Sequence, residues 1–343
     1  MTGSDLYPGP AYPEIRRNPV TGARTILAPE RSRRPGAVPV PGEKQAPCPF
    51  CTGNESLTPP EIWAVGREKG PADSPGWKLR VIPNLYPALA PDAKGGGWKR
   101  GIRVGRPARG YHEVIVHSPH HERSLADMNP EGAVRLMGAY RLRYEQLASQ
   151  SWVKQVLMIL NHKKEAGTSI AHPHTQVFAL PIVPRAVRDE LRETRRHHKR
   201  GCLICAVVEE AREDGRMVLE NERWVAFTPY ASRSPYETWF VPHRHEPDFA
   251  KVKKDVINGM ADILHRVLRG LSQLLDDPPY NLWLHSAPCD GKDYPFYHWH
   301  VELAPRITIG AGFELATGTY IDIVSPEDAA RRLGEAVKGT VER

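Results

Sequence analysis

The stretch best suited to covalent chemistry is His172-Pro173-His174-Thr175-Gln176. It opens an apolar run typical of a β-strand, in which alternate side chains share one face. Two imidazoles and a carboxamide would therefore project in a line. A neutral imidazole can attack a phosphate ester and pass the phosphoryl group on, while a neighbouring amide holds a phosphoryl oxygen. The pattern favours a histidine nucleophile at phosphorus over a plain polar strand face or a metal-binding pair.

A second segment, residues 161–169, suits phosphate. It begins with Asn161 and ends in Gly167-Thr168-Ser169. Glycine and hydroxyl residues offer backbone and side-chain donors for a phosphate-binding turn. This segment further favours the nucleophile interpretation of the histidine motif.

Four of the five cysteines form two CxxC pairs, Cys48 with Cys51 and Cys202 with Cys205. In a long chain without a visible secretion signal, metal or redox chemistry is more common than disulfide bonding. One pair alone would suit a thioredoxin-like redox site. Two pairs, each followed by histidine-bearing strands, favour tetrahedral zinc.

The elements that must position these residues occur twice. Strands are predicted over 111–121, 155–162 and 172–181, and again over 236–245, 280–285 and 298–305. Each set includes a helix, predicted over 129–149 and 252–275 from apolar residues spaced three or four apart. The interval from His121 to His172 is 51 residues and that from His245 to His298 is 53. The chain thus reads as a duplication.

The predicted fold class is α+β, with two tandem halves that each pack helices on an antiparallel sheet. We expect an N-terminal half over 1–183, a helical linker over 184–200 and a C-terminal half over 201–343. The first half is longer because of an insertion, expected to be a Gly/Pro/Lys-rich loop around 91–109.

Composition excludes several classes of protein. The 343 residues carry 47 Lys plus Arg against 40 Asp plus Glu, and 40% are hydrophobic, so a core can form. No apolar run reaches the ~18–20 residues that span a bilayer. Residues 1–10 lack signal-peptide features, so a cytoplasmic protein is expected.

The basic stretch 191–200 is interpreted as a solvated helix end rather than a nucleic-acid surface, since no aromatic residues interleave with it.

Taken together, the motifs resemble those of the galactose-1-phosphate uridylyltransferases of the histidine-triad superfamily. The resemblance spans nearly the whole chain. Its motifs lie at 14–22, 28–35, 48–51, 84–89 and 312–314, together with the His-Pro-His-x-Gln strand. It implies two tandem histidine-triad-like halves, in agreement with the repeat.

The resemblance also implies roles for individual residues. His174 would be the nucleophile, Gln176 would bond the phosphoryl oxygens, and Ser169 would lie near the departing or incoming phosphate. Arg31, Arg34, Asn84, Asn161 and Gly167 would contribute to substrate binding. Two zinc ions are expected, with ligands Cys48, Cys51, His121 and His172 in the first half and Cys202, Cys205, His245 and His298 in the second.

The second half departs from the best-known bacterial members, whose second metal site is rich in His with a Glu. Its Cys₂His₂ set is similar to that of plant-type relatives described as ADP-glucose phosphorylases. Pro173, in contrast, is typical of the uridylyltransferases. Thr308 and Tyr320 stand where the bacterial transferases have a Lys and a Gln that contact the sugar phosphate.

The resemblance predicts a UDP-glucose–hexose-1-phosphate uridylyltransferase of galactose metabolism. UMP would move from UDP-glucose to galactose 1-phosphate through a uridylyl-histidine. An ADP-sugar phosphorylase and a non-catalytic zinc protein that binds nucleotides or nucleic acid remain as alternatives. We expect UDP-sugar and hexose 1-phosphate substrates, a homodimer, and neither a nucleic-acid nor a membrane partner.

Overall fold

The structure is a computed structural model that describes residues 13–34, 47–121 and 124–341. Residues 1–10, on which the expectation about a signal peptide depends, lie outside this range. The strands are β1 (Glu14–Arg17), β2 (Arg24–Leu27), β3 (Trp63–Val65), β4 (Leu79–Pro83), β5 (Trp98–Arg100), β6 (Arg103–Pro107), β7 (Tyr111–Val116), β8 (Gln155–His162), β9 (His174–Leu180), β10 (Met217–Glu220), β11 (Trp224–Phe227), β12 (Thr238–Pro242), β13 (Tyr280–His285) and β14 (His300–Pro305). The helices are α1 (Pro130–Ala148), α2 (Arg185–His197), α3 (Leu203–Glu213), α4 (Lys254–Leu275), α5 (Gly312–Thr317) and α6 (Pro326–Val341).

Ten strands form one continuous sheet in the order β10-β11-β12-β14-β13-β8-β9-β7-β4-β3. Each half contributes five of them in equivalent order, and the halves meet where β8 pairs antiparallel with β13, with Leu160 opposite Leu282. The predicted α+β class and the two histidine-triad-like halves are confirmed. The sharing of one sheet by both halves was not predicted.

The two long helices cover one face of this sheet. In α1, Leu136, Tyr140 and Leu147 are buried, and in α4 so are Ile263 and Val267, all within one apolar core. Their spacing of four or seven residues belongs to the apolar pattern from which the two helices were predicted. Asn129 caps α1 by accepting a hydrogen bond from the backbone N–H of Gly132 at 2.9 Å.

The prediction of a loop around 91–109 is wrong. The segment contains β5 and β6, which join β1 and β2 in a second, four-stranded sheet of order β2-β1-β6-β5. Strand β6 pairs with β1, some 90 residues earlier, for example Val104 with Arg17. Such a long-range partner leaves little trace in local composition.

Strand β9 presents its alternate residues to different surroundings. Thr175, Val177 and Ala179 are buried beneath α1, whereas His174 and Gln176 are half-buried on the opposite face. That opposite face carries the candidate site. Within the described residues, no helix combines the length and the apolar character that a membrane crossing demands.

Candidate active site and metal centres

A cleft with a cavity volume of about 220 Å³ opens over β9. Its lining includes every substrate-site residue expected from the sequence except Asn161: Arg31, Arg34, Asn84, Gly167, Ser169, His174 and Gln176. The lining also includes apolar side chains, among them Leu57, Ile82, Leu85 and Ile170. A cleft with apolar lining and convergent polar groups suits a ligand that has a flat ring and charged phosphates.

The imidazole of His174 is held at one nitrogen and open at the other. Its Nδ1 lies 2.8 Å from the carbonyl oxygen of His172, an acceptor that requires the proton to be on Nδ1. Nε2 of the neutral ring is then an unprotonated nucleophile. Burial lowers the pKa of His174, which favours this neutral form. The ring of Phe50 packs edge-on against it at 5.2 Å between centroids.

Two arginines place positive charge at the cleft. Arg31 donates to the carbonyl oxygen of Tyr86 at 2.6 Å, and burial followed by the nearby charge of Arg34 lowers its pKa. Neither guanidinium has a carboxylate partner among the described residues, and Arg34 Nε is buried without a hydrogen-bond partner there. Half-buried guanidinium groups without a carboxylate partner attract an anionic ligand such as phosphate.

The phosphate-binding turn predicted at 161–169 bends sharply. Lys163 adopts φ 66° and Gly167 φ 92°, on either side of a short 3₁₀ helix (Lys164–Ala166). Lys163 is therefore a non-glycine residue in a region that costs about 1–3 kcal/mol. Its ammonium pairs with Asp277 of the second half at 2.8 Å, and His162 Nε2 lies 2.9 Å from the same carboxylate.

Asn161, the one expected substrate residue outside the cleft lining, lies behind this turn. Asn281 of β13 donates from Nδ2 to Asn161 Oδ1 at 2.8 Å and to the carbonyl oxygen of Ala166 at 2.8 Å. The structure thus connects Asn161 with the back of the turn.

The first Cys₂His₂ set converges beside the cleft. Cys48, Cys51, His121 and His172 offer ligand atoms that all lie within 4.8 Å of one another. The distances from His172 Nδ1 to the two sulfurs are 3.8 and 3.6 Å, and Cys51 Sγ lies 3.3 Å from His121 Nδ1. Zn–S bonds of ~2.3 Å and Zn–N bonds of ~2.0–2.1 Å set tetrahedral ligand atoms roughly 3.3–3.8 Å apart. The donor set therefore fits zinc.

A carbonyl oxygen fixes the orientation of His172. Its Nε2 lies 2.8 Å from Ser118 O, which leaves Nδ1 for a metal.

The second set repeats the first in the other half. Cys202, Cys205, His245 and His298 also lie within 4.8 Å of one another. His298 Nδ1 is 3.8 Å from Cys202 Sγ and 3.5 Å from Cys205 Sγ, and His245 Nε2 lies 2.9 Å from the carbonyl oxygen of Pro295. This set fits zinc on the same grounds. All five cysteines are free thiols.

A third group was missed by the sequence analysis. Glu190 of α2, His285 of β13, and His300 and Glu302 of β14 lie within 4.8 Å of one another and could hold a cation. Burial disfavours the charged form of His285, but the carboxylates of Glu190 and Glu302 outweigh it and raise the pKa to about 10. Arg233 also pairs with Glu302.

The third group lies where the repeat places the counterpart of the cleft. Strands β9 and β14 hold equivalent places in the sheet, beside β8 and β13. The HxHxQ motif that leads into β9 recurs as an HxHxE motif that leads into β14, so Glu302 corresponds to Gln176 and His300 to His174. This repeated spacing was the signal in the sequence.

Another residue that was not singled out is His112 of β7. Its Nε2 lies 3.0 Å from Gln176 Oε1 and 3.2 Å from Asn84 Nδ2, and its Nδ1 accepts from the backbone N–H of Ala88 at 3.0 Å. His112 is buried and stacks on Phe178, with 4.1 Å between ring centroids. His112 therefore contacts two of the expected site residues, Gln176 and Asn84.

Comparison with known families matches both parts of the chain. Residues 11–184 match the family model of the galactose-1-phosphate uridyl transferase N-terminal domain. Residues 140–342 match a domain of unknown function, DUF4921.

Similar proteins extend over almost the whole chain. An ADP-glucose phosphorylase of Arabidopsis thaliana is 32% identical, covering 94% of this chain and 93% of the relative. A galactose-1-phosphate uridylyltransferase of Thermotoga maritima is 30% identical, covering 94% and 98%.

Two solved structures share the fold. The Arabidopsis ADP-glucose phosphorylase with bound ADP-glucose has a TM-score of 0.74 at 31% identity, covering 94% of this chain and 99% of that one. A uridylyltransferase structure has a TM-score of 0.82 at 27% identity, covering 95% and 99%. The duplicated fold, the matched N-terminal domain and these full-length likenesses agree: the chain belongs to the galactose-1-phosphate uridyl transferase family.

Proposed function

We propose that the protein transfers a nucleotidyl group by double displacement through His174. The observation that carries this proposal is the hydrogen bond from Nδ1 to the His172 carbonyl oxygen, which leaves Nε2 unprotonated in a cleft with two arginines that have no carboxylate partner in the described part of the chain. Nε2 attacks the α-phosphorus of UDP-glucose, a P–N bond forms, and the P–O bond to glucose 1-phosphate breaks. A phosphate oxygen of galactose 1-phosphate then attacks the uridylyl-histidine, the P–N bond breaks, and UDP-galactose leaves.

The other cleft residues have roles that follow from their donors. Gln176 donates from its amide to a non-bridging oxygen of the transferred phosphoryl group. Gly167 and Ser169 hold the departing and incoming sugar phosphate. Arg31 and Arg34 neutralise charge that develops on the phosphoryl oxygens, where fixed donors in a partly dry site are most effective.

The nucleotide has its own set of contacts. Asn84 lines the cleft, whose apolar side chains accept the base. Asn161 contributes from the strand behind the phosphate-binding turn.

Zinc in this proposal supports the structure. The first Cys₂His₂ set would hold it through His172, two residues before the nucleophile, and Phe50 lies between the two cysteines of that set and packs against His174. A bound zinc ion would stabilise the loop and strand start that flank the cleft. The second set would hold another zinc ion in the second half.

A phosphorylase acting on ADP-glucose is the second candidate. In that reaction, inorganic phosphate would discharge an adenylyl-His174. The 32% identity to the Arabidopsis ADP-glucose phosphorylase and the second Cys₂His₂ set favour it, whereas Pro173 favours uridylyl transfer.

A single-turnover comparison separates the two candidates. We expect UDP-glucose to label His174 faster than ADP-glucose, and galactose 1-phosphate to discharge it faster than inorganic phosphate. Faster adenylylation with phosphate-driven discharge would assign the protein to the phosphorylase reaction. A buried base pocket discriminates strongly because the wrong base leaves polar groups unpaired.

We further propose that the protein is a cytoplasmic homodimer. Each chain would comprise the N-terminal half (1–183), the helical linker (184–200) and the C-terminal half (201–343). Free cysteine thiols suit a reducing compartment. Segment 307–323 exposes Ile309, Leu315, Tyr320 and Ile323 to more than half of their surface, and α5 within it buries no residue. An exposed apolar segment of this kind suits burial against a second subunit.

A further inference from the structure

We propose that His112 is a positioning residue that fixes which end of the Gln176 carboxamide faces the transferred phosphoryl group. This inference rests on the proposed function, since it assigns to Gln176 a phosphoryl oxygen as its ligand. Neither the motif nor the family likeness identified His112. It stands at the back of the cleft, where β7 pairs with β9 and Val114 lies opposite Gln176.

The hydrogen on the His112 ring can be placed from its neighbours. The backbone N–H of Ala88, which can only donate, points at Nδ1 from 3.0 Å, and Arg31 Nη1 lies 3.5 Å from the same atom. Two donors at one nitrogen require that nitrogen to be the acceptor. The proton of the neutral ring is therefore on Nε2.

The ring is neutral for a physical reason. His112 is 3% exposed, so burial lowers its pKa to about 3, with the charges of Arg31 and Arg34 adding to the shift. No carboxylate pairs with it among the residues described. A single, fixed tautomer therefore persists throughout the physiological range.

The Nε2 proton then determines the orientation of Gln176. Gln176 Oε1, 3.0 Å away, is the acceptor at that edge. Asn84 turns its own oxygen to the backbone N–H of Tyr86, so its amide nitrogen, 3.2 Å from Nε2, is a second donor and makes no hydrogen bond to the protonated ring. With Oε1 held by His112, the planar amide turns its NH₂ group away, toward the cleft. Two N–H donors thus face the site of the phosphoryl oxygens, where the opposite flip would place a repelling carbonyl oxygen.

The experiment is a double-mutant cycle on the rate at which UDP-glucose, and separately ADP-glucose, labels His174 in a single turnover. His112→Phe keeps the stack on Phe178 but removes the hydrogen bond, and we expect labelling to slow about 10- to 100-fold. Gln176→Ala should slow it to a similar extent. The double variant should be no slower than Gln176→Ala alone, because His112 acts through Gln176.

A conservative variant and a remote control accompany the cycle. His112→Gln keeps an N–H donor near the position of Nε2 and should retain more activity than His112→Phe. His265→Phe, on α4 away from the cleft, should label as fast as the natural protein. Zinc content and thermal midpoint report whether each variant folds.

Several outcomes would overturn the proposal. These are labelling by His112→Phe within twofold of the natural protein, no loss in Gln176→Ala, or a double variant slowed by the product of the two single effects. The ¹⁵N NMR spectrum of His112 tests the position of the proton without turnover. Nε2 should carry the proton and Nδ1 should not. The opposite result would contradict the proposed orientation of Gln176. Absence of any labelling in the natural protein would instead count against the proposed function.

Discussion

Asn281 of β13 donates from Nδ2 to Asn161 Oδ1 of β8 at 2.8 Å, at the seam where the two halves of the sheet pair. The same nitrogen lies 2.8 Å from the carbonyl oxygen of Ala166, on the phosphate-binding turn. The second half, whose own counterpart of the cleft contains an ion-paired group, therefore supports the turn of the first half. In this duplicated fold, a residue of one half thus stabilises the candidate site of the other.

Removing this support should slow transfer. We expect Asn281→Ala to reduce the labelling rate of His174 on the order of 10-fold, because a small displacement of Gly167 and Ser169 misplaces the phosphate. Single-turnover labelling of His174 measures this effect.

Asn221→Ala provides the matched control. Asn221 also donates from Nδ2 to a backbone carbonyl oxygen and a side-chain oxygen, those of Gly259 at 3.1 Å and Asp262 at 2.9 Å, but away from the cleft. Equal slowing in both variants would show a general loss of stability and exclude a specific role for Asn281.

Replacing the nucleophile should abolish transfer without disturbing the metal. His174→Gly removes Nε2, while His172, which faces the first Cys₂His₂ set, remains. We expect no measurable turnover, an unchanged zinc content, and partial recovery when free imidazole fills the gap. Turnover at the natural rate in His174→Gly would refute the assignment.

The metal sites should contribute directly to folding. Elemental analysis of protein purified without chelator should give two zinc ions per chain. Cys48→Ser or Cys202→Ser should lower Tm on the order of 10 °C, since a closed site binds zinc only when folded and each kcal/mol shifts Tm by ~2–4 °C in larger domains. Cys289→Ser, outside both sets, should have a small effect. One metal ion or none would count against the duplicated sites.

Acid should destabilise the protein partly through His112. Its folded pKa, about 3, lies below the value of an exposed histidine, so the unfolded chain binds the proton first. As pH falls from ~6.5 toward 3, this residue alone lowers the free energy of unfolding by ~1.4 kcal/mol per pH unit. Urea unfolding at about pH 7, 6 and 5 measures this effect. The free energy of unfolding should fall less steeply with pH in His112→Phe than in the natural protein. Parallel declines in the two proteins would contradict the argument.

Local patterns predicted some of the elements closely. Strands β8 and β13 have the predicted bounds, 155–162 and 280–285, because each contains a short apolar run, 156–160 and 282–284, followed by polar residues. Helix α1 starts one residue after the predicted boundary, where Asn129 caps it. The two CxxC pairs were readable from their spacing, whereas the resemblance to the family supplied the individual histidine ligands.

Relationships between distant segments could not be predicted. The pairing of β8 with β13 depends on how two halves meet, and neither strand encodes its partner. The group of Glu190, His285, His300 and Glu302 draws on α2, β13 and β14, which only the folded sheet brings together. His112 likewise reads as a polar residue in an apolar strand until its two ring nitrogens are seen between Ala88 and Gln176.

The most direct test of this account is the mass of the protein after incubation with UDP-glucose or ADP-glucose without an acceptor. We expect a gain of one nucleotidyl group per chain, carried by the peptide that contains His174, greater with UDP-glucose, and lost when galactose 1-phosphate is added. No mass gain with either nucleotide, or a label on a peptide without His174, would contradict the proposed mechanism.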